Sequence, residues 1–294
     1  MMPVFFSSQV KRVVCQAPVV GIRTFRGSRI LVVLPTLVLL TPVFDANHAW
    51  AVRPFVTDDA RITYPGQLET ESWIELGTTR GQKPEWGLHV LTGTTVSDRL
   101  EIIAGWTGIS YQDRRIHLDD LVVQPKYLLY RSFGAIPSVS AAVGVLAPIS
   151  GNRQLWNSYA MVHVSWFLDM PEGSTDPYDN GLAIHINLGT KSQYHAGLSG
   201  RYTTKPYWGI GFEVKTPISR DFRFLGEVFN GDPFDFEGEF PAFQTGFRWY
   251  KSPNVQWDVV YGGLRTMPGE EDRPWNHTFQ IGLRVLFDDV FPFR

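Results

Sequence analysis

The sequence predicts an all-β chain folded as a transmembrane, up-and-down antiparallel β-barrel of about twelve strands, with ten and fourteen as rival numbers. Three observations predict it. From Gln67 to Phe287 hydrophobicity alternates with a period of two, the repeat of a strand with two unlike faces. The alternating stretches run to about nine to eleven residues, the span of a tilted membrane strand rather than the usual five or six. The polar faces interleave charge with glycine, at Gly105, Gly144, Gly209, Gly211, Gly246, Gly262 and Gly282, as a cramped polar interior requires and a solvent-washed face does not. A soluble barrel or sandwich turns its apolar face inward. Here the assignment inverts: lipid takes the apolar face and the lumen takes the charges.

Composition narrows the partners. The 294 residues carry 27 Lys and Arg against 29 Asp and Glu, a formal net charge of -2, so there is no basic excess to meet a phosphate backbone and nucleic acid is excluded. The lone cysteine, Cys15, falls in a segment expected to be removed, which leaves no disulfide, thiol nucleophile or cysteine metal site. No cofactor and no metal are expected.

Residues 1–51 read as a signal peptide. Lys11, Arg12, Arg23, Arg26 and Arg29 precede the apolar run Ile30–Phe44, and Ala49-Trp50-Ala51 offers the small-x-small pattern that places the cut before Val52. Broken by Pro35 and Pro42, that run falls short of the roughly 20 residues a membrane helix needs. Residues 52–66 form a polar periplasmic lead, lying free or folded into the lumen as a partial plug. The barrel occupies 67–287, and a tail follows over 288–294.

Strand by strand, Glu69, Glu71, Trp73 and Glu75 oppose Leu68, Ile74 and Leu76, and Trp86 to Val96 forms a weaker second strand. Glu101 then opposes Leu100 and Ile102. Asp120, Gln124 and Lys126 oppose Leu121, Val123, Tyr127 and Leu129, and Ser140 and Ala142 oppose Val139, Ala141 and Val143. Tyr159, His163 and Ser165 oppose Ala160, Val162 and Val164; His185 and Asn187 oppose Ile184 and Ile186; Glu213 and Lys215 oppose Phe212 and Val214. Arg223 and Glu227 oppose Phe222 and Phe224. Gln244 and Arg248 oppose Phe243, Phe247 and Trp249; Asp258 opposes Trp257 and Val259; Gln280 and Arg284 oppose Phe279, Ile281, Leu283 and Val285. Trp86, Trp106, Trp166, Trp208, Trp249 and Tyr261 sit near the ends of apolar faces, at the level of lipid headgroups.

Connections agree with a barrel whose termini share one end. The tight ones, Ser97-Asp98, Pro217–Arg220 and Ser252–Asn254, follow even-numbered strands and are periplasmic. Odd connections such as Tyr111–His117, Thr190–Lys205 and Gly231–Glu239 are longer and loop-like. Phe167–Asn180 breaks the rule: it is long where a turn is due, and a miscounted strand near Pro171 would account for it.

Several pieces carry a family resemblance: Arg53-Pro-Phe-Val-Thr-Asp-Asp-Ala60, Pro65-Gly-Gln-Leu-Glu69, Val96-Ser-Asp-Arg-Leu-Glu101, Ala142-Val-Gly-Val-Leu-Ala-Pro148, Ile186-Asn-Leu-Gly189 and Phe224-Leu-Gly-Glu-Val228. In order and spacing they resemble the meta-pathway phenol-degradation family of outer-membrane proteins, over essentially the whole mature chain. The resemblance implies a barrel in the bacterial outer membrane that passes small hydrophobic or aromatic compounds, inserted there by the barrel-assembly machinery. Pro148-Ile-Ser-Gly151 departs from the Pro-Thr-Gly expected at that exit, and Asp288–Arg294 runs past the aromatic Phe287 at which such barrels commonly end.

The residues expected to line the lumen are Glu69, Glu71, Glu75, Glu101, Asp120, Lys126, Glu213, Lys215, Arg223, Glu227, Arg248, Asp258 and Arg284. Pairing across strands would narrow the path. Basic groups on the C-terminal wall would face the acids of the first strand and set a transverse field across the lumen. No Gly-x-Ser-x-Gly, His-Glu-x-x-His or phosphate-loop pattern is present, so no enzyme is expected. His163 and Ser165, on one strand face, are the nearest approach to a hydrolase pair, but His163 reads first as a polar lumen or rim residue, and His185 and Asn187 read the same way. Asp176, Asp179, Asp232, Asp235, Glu237 and Glu239 are acidic loop residues with a minor calcium reading. Tyr202, Tyr207, Phe234, Phe236 and Trp275 are expected as aromatic residues of the outer loops. The leading function is a substrate-passing channel; a closed structural or surface-binding barrel is second and a membrane hydrolase a minor third.

Overall fold

The computed structural model describes residues 55–79, 84–112, 115–118, 120–132, 134–149, 156–172, 179–195, 201–219, 221–234, 239–265 and 275–291, all within one compact unit, Ala46–Arg294. The leader reading falls outside them. In chain order the strands are β1 (Leu68–Thr79), β2 (Glu85–Ser97), β3 (Leu100–Gln112), β4 (Arg115–Leu118), β5 (Asp120–Tyr130), β6 (Gly134–Pro148), β7 (Asn157–Leu168), β8 (Leu182–His195), β9 (Arg201–Lys215), β10 (Phe222–Asn230), β11 (Glu239–Ser252), β12 (Val255–Arg265) and β13 (Trp275–Phe287). Apart from β4 and β5, which both pair with β3, each strand pairs antiparallel with its chain neighbours. The short β4 pairs with Ile109–Gln112 of β3, and β5 continues the same line against Leu100–Trp106. β4 and β5 are therefore one interrupted stave, and the sheet has twelve.

Closure is made by β1 against β13, in register from Leu68↔Phe287 to Thr79↔Asn276, together with β2 against β3. A closed ladder leaves no edge and satisfies every backbone group within the wall, which an open sheet in hydrocarbon cannot do. Register is fixed by polarity, because a slip of one residue would turn every charge toward lipid. The faces obey the alternation. Ile74, Val143, Leu188, Ile210, Phe247 and Ile281 lie exposed on the outside, while Glu71, Lys126, His163, Glu213, Arg223, Arg248, Asp258 and Arg284 are buried. Trp86, Trp106, Trp249 and Tyr261 are among the exposed outer aromatics. Among the described residues no helix is long and apolar enough to cross a membrane; the strands cross it.

Two connection readings change. Most of Thr190–Lys205 is strand, since Thr190–His195 pairs in full with Arg201–Pro206, and Arg115–Leu118 folds back on β3 where a loop was expected. Thr190–His195 carries polar side chains on both faces, so hydropathy gives no strand signal there, whereas Arg115–Leu118 alternates but over only four residues. The long link after β7 hides no strand among its described residues: Leu168 pairs directly with Leu182, and ten and fourteen staves are both excluded. Tight turns, the start of β1 and the end of β13 share one rim, here the turn end. The longer connections share the other, the loop end, except the long link between β7 and β8, which lies at the turn end.

Candidate functional site

The lumen is not empty. Residues 55–67 run into it from the turn end, and among them Phe55, Val56, Asp59, Ala60, Ile62 and Thr63 are buried. Apart from a single bridge of Pro65 to Thr95, this plug takes no part in the sheet, so wall side chains supply the partners its backbone needs. Glu227 of β10 accepts from the amides of Val56 (2.9 Å) and Thr57 (2.7 Å). Ser165 Oγ accepts from the Ala60 amide at 2.8 Å, and Glu101 accepts from the Thr63 amide and hydroxyl. Lys126 Nζ donates to Asp58 at 2.9 Å. Burial would raise the Asp59 carboxyl, yet Arg61, Lys126 and His185 together hold it below the usual carboxylate range. Arg61 pairs with it directly.

Room for the plug comes from β9. A Cβ on Gly209 would stand 2.7 Å from Thr57 Oγ1, and one on Gly211 would stand 3.3 Å from Thr57 Cβ. Two inward glycines in alternate positions thus form a groove into which the segment fits.

Near the turn end the wall is charged, and its charges pair with neighbours. Arg248 bridges Glu213 (2.8 Å) and Asp258 (2.9 Å), Arg223 also meets Glu213 at 3.0 Å, and Arg284 pairs with Glu69 across the closing seam. Gln280 donates to Glu75 at 2.7 Å, and Lys215 Nζ to the carbonyl of Asp179 at 2.9 Å. Asp120 is half-buried toward the loop end, its carbonyl bonded to Thr107 Oγ1. The transverse field is thereby corrected. Arg223, Arg248 and Arg284 each have a carboxylate on an adjoining strand, so the wall around them is locally neutral instead of basic.

Farther from the turn end the interior becomes apolar. Trp73, Leu91, Val122, Leu146, Tyr159, Met161, Tyr207 and Phe229 form one cluster that also touches Val56 of the plug. Tyr207 belongs here and not to an outer loop: it lies in β9, is buried and donates to the Val56 carbonyl at 3.4 Å; Phe234 does lie in the connection after β10, with its ring turned inward, edge-on to Tyr159 at 5.8 Å. Alternation already placed Tyr207 inward, two steps beyond Gly211. Tyr202 is exposed and bonds the Trp156 carbonyl, Trp275 packs against Phe243, and Phe236 lies outside the described residues.

Two cavities flank the plug. One lies against β1, β2, β3, β5 and β7, between Leu91, Ile103 and Met161 on one side and Glu71, Glu101 and Lys126 on another. The second lies against β8 to β11, beside Phe55, His185, Glu213 and Glu227. Asp59 lines both.

The hydrolase reading finds a different pair from the one expected. Ser165 Oγ meets His185 Nδ1 at 2.9 Å, whereas His163 lies beside Asp58 at 3.9 Å, because register partners on adjacent strands stand closer than residues two apart on one strand. Ser165 is fully buried under the plug, and no carboxylate is hydrogen-bonded to the other nitrogen of His185 among the described residues. His163 and Asn187 are register partners, both fully buried. Of the acidic loop residues, Asp232 caps its own turn by accepting from the Phe234 amide, while Asp176, Asp235 and Glu237 lie outside the described residues; no metal-holding group occurs among those described.

A closed barrel that is apolar outside and charged within defines a transmembrane β-barrel of the bacterial outer-membrane type. No family model matches the chain, and no curated protein does. Among solved structures it is similar to an outer membrane channel from Pseudomonas putida F1, with 13% identity, 81% of this chain and 100% of that one covered, and a TM-score of 0.51. It is also similar to the NanC porin (13% identity, 73% and 98% covered, TM-score 0.47). A third similar structure is the KdgM porin in complex with disordered oligogalacturonate (8% identity, 74% and 99% covered, TM-score 0.45). The likeness to the Pseudomonas channel shows the fold, an outer-membrane barrel.

Proposed function

We propose that the protein is an outer-membrane channel for small hydrophobic or aromatic compounds, with the turn end periplasmic and residues 1–51 removed on export. The observation that carries this is the apolar and aromatic layer inside the barrel. A lumen serving ions alone gains nothing from Trp73, Tyr159, Met161 and Phe229, because apolar surface in a wet channel goes unrewarded unless a solute or the plug covers it. Similarity in fold to an outer membrane channel supports the reading, as does the resemblance of the sequence pieces to the phenol-degradation family. The lumen-facing charges Glu69, Glu71, Glu101, Lys126, Glu213, Arg223, Arg248, Asp258 and Arg284 line the path, and their pairing restrains ions while a neutral ring passes.

A specific observation favours a second reading: the plug fills the lumen between the two cavities, as it would in a closed structural or surface-binding barrel. Proteoliposomes separate the two. Uptake of phenol or toluene above that of protein-free vesicles and of a size-matched sugar is expected, and no uptake of any apolar solute would establish the closed barrel.

A further inference from the structure

We propose that the plug is a hinged gate whose base, Thr63–Gln67, stays clamped at the turn end while its tip, Phe55–Ala60, swings aside to open the lumen. The inference rests on the channel reading and adds the moving part. The base is tied to the wall and to the C-terminal tail. Thr95 Oγ1 donates to the Thr63 carbonyl at 2.6 Å and Thr94 Oγ1 to the Gln67 carbonyl at 2.8 Å. Gln67 Nε2 donates to Asp288 at 2.7 Å, whose second oxygen accepts from Asn254 at 2.9 Å. The tail returns over Gly66: the Val290 amide donates to the Gly66 carbonyl at 2.9 Å. Gly66 has φ +88°, and a Cβ there would stand 3.1 Å from the Phe291 carbonyl oxygen, so this clasp requires glycine. Residues past Phe287, which serve no strand, thus hold the root of the plug.

The tip is held differently. Its bonds run to isolated side chains, Glu227, Ser165, Lys126 and Tyr207; Phe55 packs with Leu225 and Val260 in a small apolar group, and Val56 rests on the edge of the apolar layer. No ladder must break for it to leave. Its departure has a defined result: Asp59 lines both flanking cavities and Thr57 lines the second, so moving these residues joins the two spaces into one passage along the apolar layer.

Paired cysteines test the division between base and tip. Thr57 Cβ lies 3.7 Å from the place of a Gly209 Cβ, within the disulfide range, so T57C/G209C locks the tip. Thr63 Oγ1 and Thr95 Oγ1 stand 2.8 Å apart, so T63C/T95C locks the base. Both would be made in the full chain carrying Cys15→Ser, with cross-linking verified by mass spectrometry and conductance and phenol uptake compared before and after reduction. The expected result is a loss of about fivefold or more in the oxidised tip-locked protein, recovered on reduction, and no change in the base-locked one. Unchanged transport with the tip locked would overturn the gate, placing the path beside a seated plug. Loss of transport with the base locked would overturn the hinge, since the whole segment must then withdraw. Absence of transport in every reduced protein would remove the channel reading itself.

Discussion

At the scale of single residues, the environment of a side chain here depends on parity alone. Ile281 and Gln280 are neighbours in sequence, yet the first is 45% exposed on the outer face and the second 4% exposed in the lumen beside Glu75. Ile281→Arg and Phe247→Arg should each cost about 2 to 4 kcal/mol of assembly stability near the membrane midplane. Gln280→Arg gains a carboxylate partner and should assemble, as judged by heat-modifiable mobility in detergent gels; the opposite order would reverse the faces. Glu227 is the residue on which the plug most depends, because one carboxylate takes two buried amides. Glu227→Ala leaves both donors without an acceptor, a penalty of about 1 to 3 kcal/mol for each. The expected outcome is faster maleimide labelling of a cysteine at position 57 in Glu227→Ala than in the parent, with the barrel still folded.

Among the elements, the β1–β13 seam decides whether twelve staves become a barrel, and it carries the pair between buried Arg284 and half-buried Glu69, with register partners Glu71↔Arg284. Arg284→Ala strands carboxylates beside the seam and should lower the urea midpoint by an amount equivalent to about 3 to 5 kcal/mol, the cost of breaking a buried pair from one side. Glu69→Ala/Arg284→Ala should recover part of that loss; no recovery would mean that the pair does not couple the two strands. The faces of the staves were legible in the sequence, except for the weaker second strand Trp86–Val96, because alternation is a local signal and the bilayer enforces it over some nine residues. Partners were not. Arg284 faced Glu69, Glu71 and Glu75 equally in a parity argument, and only the register chose. Strand ends were hidden for a related reason: Thr190–Tyr194 and Tyr202–Lys205 carry polar side chains on both faces, and hydropathy falls silent. The plug was legible as a possibility in the polar lead 52–66, and Arg61 stands two residues from its partner Asp59, but nothing local to Asp58 announces that Lys126 awaits it across the lumen.

For the whole molecule, fold and plug are separable. Closure rests on a ring of antiparallel pairings that passes from β1 to β13 without using residues 55–66, so the wall does not need the plug to satisfy its backbone. The plug's removal would bare Glu227, Ser165, Glu101 and Lys126, yet they would face a lumen that water enters, and hydration replaces the lost partners instead of leaving them buried. The apolar layer would lose Val56 as a neighbour, a contact worth about 1.5 to 3 kcal/mol at full burial, against the many ladder bonds of twelve staves. Deleting Val52–Ala60 should therefore leave the heat-modifiable transition within a few degrees of the parent while raising single-channel conductance several-fold, since the two flanking cavities merge. Apolar uptake should rise less than ion current, because the ring-sized layer of Trp73, Tyr159 and Phe229 persists while the obstruction to water and ions has gone. If the deleted protein failed to form a heat-resistant barrel, the plug would be part of the folding core and not a gate. Unchanged conductance in a stable barrel would place the restriction in the paired charges of the wall.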